Sequence, residues 1–286
     1  MKSGKELKSR IKSIEETSKI TKAMHLVSIA RMRKAMRAYD DNRLYFEALR
    51  KAVAYIFARE DEINSPYVGE AKEGRAAYIV IASDKGLAGG FNQQVLGFAL
   101  EDMKDAGEKH VIAIGQKALD FFRARGIEVA SSYLDIMHYP ELDDARMIMY
   151  EVLELFDGGE VSKVRLVFTR LDRAGHYLPA AIDLLPVNEK ALIEKVGIEG
   201  TPADYELQFY DDVVDMVVRQ YLLGCVYSAL IQSLVAENYS RMVAMESATN
   251  NSMKMLAKLN LYYNKLRQEK ITTEIGETSA FLINRE

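Results

Sequence analysis

Both ends of this 286-residue chain lack proline and are nearly devoid of glycine. No glycine occurs between Gly4 and Gly69 and no proline before Pro66. All five prolines (Pro66, Pro140, Pro179, Pro186 and Pro202) lie in the middle, and from Ala203 to Glu286 only Gly224 and Gly276 intervene. Glycine and proline are the main helix breakers, so their absence predicts two very long helical arms around an ordinary middle. A helix of about 60 residues at ~1.5 Å per residue is roughly 90 Å long, more than a compact domain of this size can enclose.

Other scarcities narrow the function. Cys225 is the single cysteine, which excludes an intramolecular disulfide or a dithiol switch and fits a reducing compartment. No apolar run is expected to reach the ~18–20 residues of a membrane span. The chain is amphipathic by Leu7, so neither a signal peptide nor a transit sequence is expected. His25, His110, His138 and His176 have no partners at metal-ligand spacing, and HExxH is lacking, so no protein metal site is expected. The carboxylates single out no acid/base pair, and the chain is read as having no catalytic residues of its own.

What is present is asymmetric. The net charge of −4 conceals a balance of +8 in residues 1–60, with 15 Lys/Arg against 7 Asp/Glu. Residues 61–208 carry −11, with 15 against 26. A basic arm on an acidic middle suggests that the two meet different partners. In the C-terminal arm Tyr227, Leu230, Leu234, Asn238, Arg241, Met245, Ala248, Ser252, Met255, Leu259, Tyr262 and Leu266 form a heptad seam. In the N-terminal arm Leu7, Ile11 and Ile14 start a seam. Ile20, Met24 and Val27 continue it after a phase slip, and Tyr45, Leu49, Ala52 and Ile56 finish it. Two such seams at opposite ends of one chain pair most simply as an antiparallel coiled coil.

The middle alternates strands, Ala76–Ala82, Val111–Ile114 and Val164–Thr169, with helices, Phe91–Met103, Gln116–Arg125 and Ala145–Phe156; Ala180–Leu185 adds an edge strand. That order indicates a Rossmann-like, mostly parallel α/β domain inserted between the arms. The expected division is 1–65, an N-terminal coiled-coil helix; 66–208, the α/β domain; and 209–286, the C-terminal coiled-coil helix.

The turn Lys85-Gly86-Leu87-Ala88-Gly89-Gly90-Phe91-Asn92 follows the first strand and opens a helix, where a nucleotide loop sits in doubly wound folds. It matches neither GxGxxG nor GxxxxGK[ST], so a structural turn is expected and no cofactor. The cluster Lys19, Lys22, Arg31, Arg33, Lys34 and Arg37 fits a solvated helix face, a nucleic-acid patch, or a cationic face set against an acidic protein.

Residues 11–24 (IKSIEETSKITKAM), continuing through Arg31-Met32-Arg33-Lys34-Ala35, resemble the start of the gamma subunit of F-type ATP synthases. Residues 241–251 (RMVAMESATNN) and 263–275 (YNKLRQEKITTEI) resemble its C-terminal helix. Residues 83–92 (SDKGLAGGFN) resemble its DRGLCGG(F/L)N element. The resemblance implies a non-catalytic rotor shaft: a coiled coil threading a hexamer of alpha and beta subunits, and an α/β foot meeting the epsilon subunit and the c-subunit ring. Coiled-coil scaffolding or adaptor function is the alternative. Carried over by position, Met24, Arg267, Gln268 and Thr272 are expected to contact a beta subunit, and Glu237 and Arg241 to make polar contacts of the shaft. Asp204 and Tyr205 fall where the foot meets the ring or epsilon. Nucleic acid is not an expected partner, and membrane association is expected only through the complex, at the cytoplasmic face of a bacterial plasma (inner) membrane. Lys85 and Ala88 depart from the family's Arg and Cys, and the Phe281–Glu286 ending replaces its Gly/Ala run.

Overall fold

The structure is a computed structural model describing residues 4–59, 63–104, 106–172, 176–197 and 211–283. The chain runs α1 (Gly4–Phe57), β1 (Ala76–Ile81), α2 (Phe91–Asp102), β2 (Lys109–Ile114), α3 (Gln116–Arg123), β3 (Ser131–Tyr133), a 3-10 turn (Ile136–His138), α4 (Leu142–Asp157), β4 (Lys163–Leu171), β5 (Tyr177–Leu185), α5 (Glu189–Val196) and α6 (Asp211–Ile283). The segments without breakers are the two long helices, of 54 and 73 residues.

Strand order is β3-β2-β1-β4-β5. β1 pairs in parallel with β2 and β4, β2 pairs in parallel with β3, and β5 closes the edge antiparallel to β4. The sheet is therefore mostly parallel, as expected. β1 lies at its centre and all six of its residues are buried. The strand period of two divides its side chains: Ala77, Ile79 and Ile81 join one core with α1, α4 and α6, whereas Ala76, Tyr78 and Val80 join a second with α2 and α3. Helices on both faces make a doubly wound domain. Arg165 on β4 ties it together, donating twice to Asp102 at the end of α2 (both 2.7 Å) and once to Asp183 on β5 (2.6 Å). Those bonds hold its guanidinium above the usual arginine range.

Two elements had no strong signal. β3 is the three-residue Ser131-Ser132-Tyr133, poor in strand formers. α5 is one short helix, capped by Asn188 Oδ1 accepting from the Ala191 amide at 2.9 Å and stopped by Gly197 at φ 72°. One part of α6, moreover, is apolar enough to resemble a membrane span, contrary to expectation, but 56% of that window is buried inside the protein. Val214, Val218, Leu222, Val226, Ala229 and Leu230 supply the apolarity of a core helix.

The chain divides into two compact units, residues 1–29 with 241–286, and residues 30–240. Both cuts fall inside the long helices α1 and α6. In the first unit the helices pair antiparallel: Thr21 Oγ1 meets Thr249 Oγ1 at 2.8 Å, and His25 Nδ1–H donates to the Met242 carbonyl at 3.1 Å. The expected phase slip does not occur. Leu7, Ile11 and Ile14 are followed inward by Ser18, Thr21, His25 and Ser28, at steps of three and four, while Ile20 and Val27 face outward. On α6, Leu256 and Tyr263 turn inward in place of Met255 and Tyr262.

In the second unit α1 lies on α6, with Phe46 stacked on Tyr221 at 5.8 Å between ring centroids. Gly224 permits that approach, since a Cβ there would stand 2.8 Å from the Phe46 ring. Gly115 is tighter still: at φ 87° its added Cβ would stand 2.4 Å from the Ala82 carbonyl oxygen. Gly224→Ala gains about 1 kcal/mol of helix propensity, yet displacing the ring outweighs it, with a net loss of about 1–2 kcal/mol. Gly115→Ala meets backbone and a left-handed φ, and loses about 3 kcal/mol or more. Thermal unfolding followed by circular dichroism should rank the two in that order below the parent.

Cys225 lies within the same packing. Burial pushes its thiol up to about 12 from 9.0, partly opposed by a hydrogen bond with Tyr221. Since only the thiolate reacts, a disulfide reagent at pH 8 should leave the folded chain unlabelled and label it fully in denaturant. Labelling of the native protein at the rate of a free thiol would contradict this packing.

Candidate functional site

In doubly wound folds a ligand binds outside the carboxyl ends of the strands, where the strand order reverses. Here that place lies between β1 and β4, beside the glycine turn. β1 ends at Ile81, and its register with β4 stops at Val80↔Val167. Two β4 amides beyond that point turn to α6 instead: Thr169 N–H donates to Ser233 Oγ (3.3 Å) and Leu171 N–H to Gln232 Oε1 (3.2 Å). Ala236 on the next turn of α6 is buried against Ala88 and Phe91 of the glycine element, with Tyr177 beside them. The helix thus occupies the crevice that a nucleotide would need.

The glycine element is held by its own polar groups. Asn92 clamps Ser83, accepting from its amide at 3.0 Å and donating to its hydroxyl oxygen at 2.7 Å. Asp84 Oδ1 accepts the amides of Gln116 (3.2 Å) and Asp135 (3.0 Å), joining the loops after β1, β2 and β3. Ala88 is buried, and Leu87 stands exposed at φ 63°. This is a structural turn built to receive α6.

The basic cluster is partly engaged within the chain. Arg31 donates to His138 Nε2 at 3.4 Å, and the Lys34 ammonium lies 4.0 Å from the centroid of the Tyr139 ring. Partial burial, then the charges of Arg31 and Lys85, make His138 harder to protonate than a free histidine. Lys19, Lys22, Arg33 and Arg37 remain exposed.

The described residues among those carried over by resemblance fall into three groups. Arg267, Gln268 and Thr272 share one exposed stretch of α6, in which every residue from 267 to 277 is exposed. There Thr272 Oγ1 donates back to the Gln268 carbonyl at 2.9 Å. Met24 is half-buried on α1, near the level of the Thr21–Thr249 contact. It is roughly 30 Å along the helix axis from Arg267, so the structure does not bring these residues together. Glu237 and Arg241 are buried, 5% and 7% exposed, rather than displayed on an outer surface. Asp204 and Tyr205 lie outside the described residues. Sequence reasoning missed the outward-facing Ile20, Leu26 and Val27; their signal was the run of polar residues at the in-phase seam positions between them.

Comparison with known proteins agrees with this architecture. A family model described as "ATP synthase" matches residues 3–280. A protein of Ruminococcus albus called ATP synthase gamma chain is 36% identical over 284 residues, covering 98% of each chain. One of the same name from Lachnoclostridium phytofermentans is 34% identical over 285 residues, also 98% of each. Among solved structures, a chain of the Euglena gracilis mitochondrial ATP synthase rotor aligns with TM-score 0.66 at 18% identity, covering 94% of this chain and 98% of that one. A chain of the Tetrahymena thermophila mitochondrial ATP synthase central stalk and c-ring aligns with TM-score 0.59 at 21% identity, covering 80% and 99%. At those identities the structural likeness establishes the fold; with the family match and the sequence relatives over nearly the whole length, the chain belongs to the ATP synthase gamma-chain family.

Proposed function

We infer that this chain is the central rotor shaft of an F-type ATP synthase, coupling ion flow through the membrane sector to ATP synthesis and hydrolysis at the beta subunits. The observation that carries the reading is the antiparallel helix pair with an outer surface left open along α6, in a chain that also holds a doubly wound domain. A shaft works by contact. Each orientation inside a threefold hexamer meets the three catalytic sites differently, and a contact that differs between conformations shifts their populations.

On this reading the chain is a non-catalytic part of an ATPase complex, and the closure of the sheet crevice by Ser233 and Gln232 supports that. Its partners are the alpha and beta subunits, the epsilon subunit and the c-ring, with the complex at the cytoplasmic face of a bacterial inner membrane. Residues 1–65 and 209–286 form the shaft segments and 66–208 the foot. Arg267, Gln268 and Thr272 grip a beta loop through charge-assisted hydrogen bonds, with Met24 a separate contact lower on the shaft. Glu237 and Arg241 act from within the shaft as polar contacts, and Asp204 with Tyr205 at the foot.

Reconstitution with alpha and beta subunits tests this directly. The chain should assemble into a complex that hydrolyses ATP, and Arg267→Ala with Gln268→Ala should lower turnover roughly tenfold, the effect of ~1.4 kcal/mol. Unchanged turnover would reject the grip and keep the shaft; no assembly with well-matched partners would reject the shaft. Separately, equilibrium dialysis should find no binding of ATP to the isolated chain, and a micromolar Kd would contradict the closed crevice.

A further inference from the structure

The first turns of α6 are enclosed less fully than those that follow. Val214 and Val218 are buried in the larger core on one side of the helix. On another side an open groove of about 550 Å³ lies between α6 and α4, lined by Met149, Tyr150 and Leu153 of α4 and by Asp215, Met216 and Arg219 of α6. Tyr150 and Met216 stand 71% and 63% exposed there. Apolar burial is non-directional, so one buried stripe beside an open groove does not by itself stop a helix from rolling about its axis.

Two polar side chains supply the direction. Asp215 and Arg219 lie one turn apart on the same face of α6, and both bond to the segment that follows α1. Ser65 Oγ donates to Asp215 Oδ1, and the Arg219 guanidinium donates to Tyr67 Oη while lying 5.0 Å from the centroid of that ring. The Tyr67 hydroxyl donates in turn to Oδ2 of Asp157, the last residue of α4, at 3.0 Å. Tyr67 is 1% exposed, its ring stands 6.3 Å from that of Phe156, and its carbonyl accepts the Val187 amide at 2.7 Å. It is therefore a fixed point of the domain, and Arg219–Tyr67–Asp157 ties α6 to α4 around the groove. Burial, then the bond to Asp157, holds the phenol above its usual range, so it remains a donor at neutral pH.

We propose that Ser65, Tyr67 and Asp157, with Asp215 and Arg219, form a clasp that fixes the rotational setting of α6 in the α/β domain, as positioning residues for torque transfer. The proposal rests on the rotor reading and deepens it. On that reading torque enters at the α/β domain and leaves along α6, a single helix from Asp211 to Ile283, so a helix that rolls in its mount loses part of each step. Directional bonds from two residues a turn apart resist rolling where apolar contact does not. Each such bond adds only modestly to stability, which separates this role from folding.

Ser65→Ala with Tyr67→Phe severs the clasp and keeps the buried ring. Arg219→Ala cuts its outer end at an exposed helical position, where alanine favours the helix and the fold is not at risk. In the membrane-bound holoenzyme both variants should lower gradient-driven ATP synthesis about fivefold. ATP hydrolysis by the detached complex with alpha and beta subunits, which places no load on the α/β domain, should stay parental. Arg219→Lys keeps a donor for Tyr67 and should restore most of the synthesis. Parental synthesis in an assembled Arg219→Ala holoenzyme overturns the clasp and leaves the rotor reading standing. An equal fall in synthesis and in detached hydrolysis also overturns it, since that marks a loss of folding or assembly. Failure of the unaltered chain to assemble overturns the rotor reading and the clasp with it.

Discussion

The packing of α6 between Val214 and Ala236 is the constraint on which the rest depends. Its buried residues join the larger core with α1 and β1, and its polar residues at 232 and 233 take the β4 amides that β1 leaves over. An unpaired buried amide costs about 1–3 kcal/mol, so those bonds fix where the helix lies against the sheet. The same arrangement closes the crevice in which doubly wound domains hold nucleotides. A fold associated with ligand binding becomes a mount, and the chain's own helix stands where the ligand would be.

That substitution explains the glycine element. Its glycines suit a loop that takes phosphates, yet Ser83, Asp84 and Asn92 spend their hydrogen bonds on the protein's own backbone and on each other. The small side chain of Ala88 lets Ala236 come close. The turn is conformationally demanding for reasons of packing, which composition alone does not separate from reasons of chemistry.

The unit of residues 1–29 and 241–286 follows a different logic. It has few apolar residues in its seam between 18 and 28 and several on its surface, so its cohesion comes from directional contacts such as Thr21–Thr249 as much as from burial. A pair held in this way keeps its register, because hydrogen bonds between fixed positions do not survive a slip. It also leaves apolar side chains free for an external partner, which suits a part that works by touching others.

The sequence by itself determined the elements. Unbroken arms became helices because a breaker acts locally, and buried β-branched runs became strands because their pattern is local too. It determined the family as well, through motifs spread along nearly the whole length. Tertiary structure decided which face of each helix turns inward. A seam needs one phase shared by two helices, so Thr21 and His25 entered it and Ile20 and Val27 left, although hydrophobicity read along one helix favoured the reverse. It also decided that the sheet crevice is filled, since Ser233 and Thr169 are 64 residues apart and nothing in the spacing of either segment announces that they meet.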